Sequence, residues 1–186
     1  MLSKTILYLL NATLLLLSSY AWSEDVLLKG DAVEVEDGDT LLVTFEDGVK
    51  RIQLIDIDAP EDKENPKFKV DQKRTGLDHD TLLSIGIIAT NHLRKLLAGE
   101  ESFRLHYQPD NLDRYGRIPG ELKREDGSSL NRQMVMNGYA IAKPSESSST
   151  AHSYHDLQQQ ARRDRKGLWG LLPQATQLWS GTTLSR

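Results

Sequence analysis

Apolar and polar positions alternate through the first third of the chain, with the two-residue period of half-buried strands. Val33 and Val35 alternate, then Leu41, Val43 and Phe45, then Ile52 and Leu54. Polar turns part them: Glu36-Asp37-Gly38-Asp39, and Glu46-Asp47-Gly48 with the Asp-Gly pair of a hairpin. The alternation lapses over 62–79, where Lys63, Lys67, Lys69, Lys73 and Arg74 stand among four acids, and this stretch reads as a long mobile loop. The period then becomes helical: Asp80 is the expected cap, and Leu82, Ile85, Ala89, Leu93 and Leu96 recur on one face before Gly99. Phe103, Leu105 and Tyr107 predict a fourth strand and Gly116 to Arg124 a fifth. Ser128 or Ser129 caps a short helix carrying Leu130 and Met134, closed by Asn137-Gly138. After a Ser-rich turn over 145–150, Tyr154, Leu157 and Ala161 line a last helix. Its basic end (Arg162, Arg163, Arg165, Lys166) suits the helix dipole; Gly167 stops it and Trp169 is placed to pack back. Residues 171–186 show no period and read as a loose tail. Five strands interrupted by a helix after the third, then two more helices, predict an α+β fold: a five-stranded Greek-key β-barrel of the OB type with three α-helices.

The 186 residues suffice for one domain with its own core, expected over 24–170. The first 23 are of another kind. A basic Met1–Lys4, an almost wholly apolar Thr5–Leu17 and small residues at Ala21 and Ser23 predict a signal peptide cut after Ser23, hence a periplasmic or secreted product. The apolar run is short for a membrane span, although an uncleaved anchor is the alternative reading. Without Lys4 the mature chain has 22 basic and 27 acidic residues, net −5. Bulk charge therefore does not hold a polyanion; a few local cations or a metal must. There is no cysteine, which excludes disulfides and thiolate zinc sites. A monomer is expected.

Three polar segments carry the chemistry: Asp37-Gly38-Asp39-Thr40, Asp58-Ala59-Pro60-Glu61 and Asp113-Arg114-Tyr115-Gly116-Arg117. Carboxylates to hold a hard cation, a carboxylate to take a proton and guanidinium to face an anion are what cutting a phosphodiester requires. Singly, each has a plainer reading. Asp-Gly-Asp-Thr alone is a turn, and Arg117 alone a surface arginine. The five histidines offer no ligand set; His152 and His155 are three apart but lack a third partner. The lysines of 62–79 could touch phosphates, but acids interleave them, so a solvated loop is the default reading.

Together with Leu130-Asn131, Asn137-Gly138-Tyr139-Ala140 and Gly167-Leu168-Trp169, these segments resemble, in order and over about residues 30–169, the thermonuclease (staphylococcal nuclease-like) family. The resemblance implies an OB barrel with three helices and a Ca2+-dependent nuclease that cuts DNA and RNA to leave 3′-phosphates, with single-stranded substrate favoured. Matched by motif, Asp39 and Asp58 supply metal carboxylates and Ala59 a backbone carbonyl. Glu61 corresponds to the general base and Arg117 to the phosphate-binding arginine. Tyr115 and Asp113 are substrate-binding candidates, with shaping of the turn an equal reading for Tyr115. One position departs from the family: its catalytic arginine falls at Gln53. Arg51 is on the same strand face but about 7 Å away along the strand, so reduced activity is expected, with Arg51 or Gln53 as substitute. Asp56, two residues before Asp58, is expected to face the same way, either joining the cation site or lying solvated at the edge. The competing reading is a non-catalytic OB-fold nucleic-acid-binding module with an impaired site.

Overall fold

The computed structural model describes residues 23–143 and 148–181, with backbone alone over 148–152. Residues 1–22 of the expected signal peptide over 1–23, part of the Ser-rich turn and the last five residues lie outside the described residues. The strands are β1 (Glu24–Lys29), β2 (Val33–Val35), β3 (Thr40–Phe45), β4 (Gly48–Leu54), β5 (Ile57–Asp58), β6 (Ser102–Tyr107), β7 (Ile118–Arg124) and β8 (Ile141–Ala142). Six form one sheet in the order β1-β6-β7-β4-β3-β2, antiparallel except for β4 beside β7; β5 and β8 pair separately.

The two outer strands of that sheet, β1 and β2, are neighbours in sequence, joined by a single 3₁₀ turn at Gly30–Ala32. They act as one bent strand that closes the sheet on itself, so the expected five-stranded OB barrel is what the chain forms. The bend needs glycine: a Cβ on Gly30 would lie 2.1 Å from the Glu100 carbonyl oxygen, and Gly30 N–H donates to Glu101 O at 2.8 Å. Inside, Leu41, Val43, Ile52, Leu54, Phe103, Leu105 and Leu122 are fully buried, on the inward phase of the alternation read from sequence.

The helices are α1 (Pro66–Thr75), α2 (His79–Leu97), α3 (Leu130–Met136), α4 (Ser148–Arg163), α5 (Leu168–Leu171) and α6 (Pro173–Ser180). Three expectations are corrected. The stretch read as a mobile loop contains α1: the Asn65 side chain accepts from Phe68 N–H, Pro66 opens the first turn, and Gly76 closes it at φ 69°. Only Phe68 and Asp71 of α1 are buried, so it has no apolar stripe to announce it. The cap of α2 is Asp78, accepting from Thr81 N–H, rather than Asp80. The tail read as loose is helical over Pro173–Ser180, with Ala175, Thr176 and Trp179 buried. No helix among the described residues is long and apolar enough to cross a membrane.

Candidate active site

The turn from β2 to β3 brings the first acidic segment against the second. Asp37 folds back to accept Asp39 N–H (3.1 Å), while Glu36 and Asp37 N–H both donate to Thr40 O. The Asp39 carboxylate then reaches across: Oδ2 accepts Ala59 N–H at 2.9 Å and Oδ1 accepts the Thr40 hydroxyl at 3.1 Å. Asp39 is nearly buried, and so is Asp37, whose carboxyl is pushed up to about 7 by burial and by the neighbouring Asp39 and Glu61 charges.

The amino end of α1 completes the site from the other side. Lys67 Nζ lies 2.9 Å from Glu61 Oε1, 3.2 Å from the Ala59 carbonyl, 3.4 Å from Asp58 Oδ1 and 3.6 Å from Asp71 Oδ2. Burial works against this ammonium, but Asp58, Glu61 and Asp39 outweigh it and hold its pKa above the ordinary lysine value. Asp58 moves up as well, since burial and Asp39 exceed the help from Lys67. The other Glu61 oxygen accepts from Asn65 Nδ2, so one asparagine caps α1 and fixes the carboxylate.

Arg117 enters from the turn before β7. Asp113 builds that turn, accepting Tyr115 and Arg117 N–H on Oδ1 and Arg117 Nε on Oδ2 (2.9 Å). Arg117 Nη1 donates to Thr40 Oγ1 at 3.1 Å and sits 3.9 Å from Asp39 Oδ1. Opposite it, Glu36 holds Arg51 Nε at 2.6 Å and Lys63 Nζ at 3.1 Å. Burial opposes the Glu36 charge, yet these two bonds leave its carboxyl below the usual value.

Arg51, Glu61, Tyr115 and Arg117 line one cleft of about 230 Å³, together with Asp37, Lys63, Asn65 and Lys67. Asp39, Asp58 and Ala59 adjoin it through Lys67 and Arg117. Tyr115 is half exposed, its ring near the Arg114 and Arg117 guanidiniums, while Asp113 is committed to positioning Arg117. Gln53 is turned inward, its Nε2 donating to the Asp39 carbonyl at 3.2 Å. Asp56 does not follow the expected alternation: its φ of 63° reverses the chain between β4 and β5. Sequence reading did not single out Glu36 or Asn65, and it took Lys67 for a lysine of a solvated loop, where the structure instead sets its ammonium among the oxygens of Asp58, Ala59, Glu61 and Asp71. For Asn65 a signal existed, the Asn-Pro pair of a helix cap and first turn.

Among the described residues no three carboxylates or imidazoles are arranged to hold a metal ion by themselves. Oxygens of Asp58, Glu61, Asp71 and the Ala59 carbonyl ring the Lys67 ammonium; Asp58 and Ala59, with Asp39 bonded to the same segment, are what that ring offers a cation. Oxygen-only donors of this kind suit a hard cation such as Ca2+.

The model of the staphylococcal nuclease homologue family matches residues 51–170. This chain belongs to that family. The chain is 32% identical over 142 residues to an uncharacterized endonuclease of Escherichia coli, covering 76% of this chain and 77% of that one. It is 28% identical over 183 residues to a micrococcal nuclease of Shigella flexneri (94% and 90%). It is also 28% identical over 145 residues to endonuclease YhcR of Bacillus subtilis, covering 76% of this chain but only 11% of that protein. Membership places the chain in a family of nucleases, hydrolases whose substrate class is nucleic acid.

Proposed function

We propose that the chain is an exported Ca2+-dependent nuclease that cuts DNA, RNA or both to 3′-phosphate ends, with single strands preferred because an open OB groove admits flexible backbone. The observation that carries this is the convergence of Glu61, Arg51 and Arg117 on one cleft beside an all-oxygen cation ring. Asp39, Asp58 and the Ala59 carbonyl are the groups to hold calcium, which when bound would polarise a phosphate oxygen and draw the substrate into the cleft.

Glu61 orients a water in line with the phosphorus and takes its proton as the P–O bond forms. The P–O5′ bond breaks, O5′ is protonated from solvent and the phosphate stays on the 3′ side. Arg117, fixed by Asp113, donates to the non-bridging oxygens as charge builds on them. Arg51 faces the same space from Glu36 and fills the place of the missing family arginine, since Gln53 is turned to the Asp39 carbonyl. Export through cleavage after Ser23 leaves β1 intact, beginning at Glu24.

The test is digestion of single-stranded DNA and RNA by the chain starting at Glu24, with Ca2+ or with chelator, and end-group analysis by mass spectrometry. Cleavage is expected only with Ca2+. Glu61→Gln should slow it by about 10²–10⁴-fold; undiminished activity removes Glu61 from the mechanism. The second reading, a binding module, is favoured by the inward Gln53. Retained binding with no cutting under either condition would establish it instead.

A further inference from the structure

We propose that Lys67 is the resident cation of the metal-free cleft, and that a divalent ion binds by displacing its ammonium from the oxygens of Asp58, Ala59 and Glu61. The inference rests on the calcium reading above. Nζ lies within 2.9–3.4 Å of one oxygen from each of those three residues. These residues include two of the three expected metal donors, and the third, Asp39, is bonded to Ala59 N–H.

Local structure gives Lys67 little reason to be there. It follows Pro66 in the first turn of α1, where the helix dipole disfavours a positive charge, and that turn contains no acid of its own. Within the helix only Asp71, one turn on, faces it at 3.6 Å; the closer oxygens come from outside the helix. The side chain is free to leave while the helix stays: α1 is anchored by buried Phe68 and by Asp71, which Arg74 ties to the carbonyl of Trp179. A lysine stem has four rotatable carbons, and Lys67 already lines the cleft, so the displaced ammonium moves toward the space a phosphate would occupy. Displacement also releases the Glu61 oxygen that the mechanism needs as a base. Cation binding, substrate attraction and release of the base thereby become one event.

A site closed by its own lysine in about nine-tenths of molecules shows an affinity about tenfold below its intrinsic one. Calorimetric Ca2+ titration of the wild type and of Lys67→Met should therefore show about tenfold tighter binding in the variant. Removing a nearby charge could also tighten binding without any displacement, so a second measurement uses the unaltered protein. Acylation of Lys67 by an amine-reactive ester, normalised to the exposed Lys69 and read by mass spectrometry, should rise severalfold when Ca2+ is added. Equal affinities, or unchanged labelling of Lys67 in a protein that binds Ca2+, overturn the displacement and leave the calcium reading standing. Failure of Ca2+ to bind either protein overturns both.

Discussion

Arg51 and Gln53 leave β4 on the same face, yet their surroundings differ because burial deepens along that strand toward Leu54. Gln53 is covered: its amide nitrogen donates to Asp39 O, and its Oε1 is buried without a protein hydrogen-bond partner. An arginine there would bring a charge into a covered position whose side-chain amide meets the backbone carbonyls of Asp39 and Leu54. Arg51 is 41% exposed at its side chain and is held in the cleft by Glu36, a carboxylate that occupies the role a phosphate would take. Substrate can exchange with Glu36 without disturbing the barrel. Arg51→Ala is accordingly expected to lower kcat/KM about a hundredfold, the usual loss for one transition-state donor, with an unchanged urea midpoint. Single-turnover rates on a short oligonucleotide check this; a rate equal to wild type would mean that Arg117 works alone.

At the scale of elements, α2 is the platform on which both acidic segments rest. A Cβ on Gly86 would lie 1.9 Å from the Glu61 carbonyl oxygen, and one on Gly38 would lie 2.7 Å from the Ala59 Cβ and 3.2 Å from the Ala89 Cβ. Backbone touches helix directly at the general-base candidate. In an exposed helix, glycine to alanine gains up to about 1 kcal/mol; here the sign reverses. Gly86→Ala should cost about 1–3 kcal/mol by overpacking and should also reduce kcat, because the segment bearing Glu61 is pushed outward. Chemical denaturation together with kcat separates the two effects, and a stabilised, fully active variant would show that the segment is not seated on α2. The apolar face of α2 and the alternation of β2 to β4 were readable because each buries a whole periodic face. The motif residues Glu61 and Arg117 were readable because their spacing survives in sequence. Lys67 was not: it stands in a polar helix whose position is set by one phenylalanine, one cap and carboxylates that only the turn into the helix brings around it.

On the scale of the whole molecule, the barrel is closed by its first strand and the cleft is braced by its last described helix. Neither was legible locally, since β1 gains its meaning only by pairing with β6, some eighty residues away, and α6 buries three residues on partners far upstream. The route from α6 to the cleft is short. Arg74 donates to the Trp179 carbonyl at 2.8 Å and to Asp71 Oδ1 at 2.8 Å, and the other Asp71 oxygen faces Lys67. Trp179 itself is 2% exposed, so its indole is core rather than trim. Trp179→Ala should therefore cost about 3–5 kcal/mol, a large share of the roughly 5–15 kcal/mol that holds an ordinary domain together. By unseating α6 it should also weaken the bond from Arg74 to the carbonyl of residue 179 and so loosen the hold on α1. Urea unfolding at neutral pH measures the first effect, and amide exchange across 66–75 the second. A loss below about 1 kcal/mol, the range of ordinary surface substitutions, with unchanged exchange would mean that the barrel and α2 hold the cleft without the C-terminal helix.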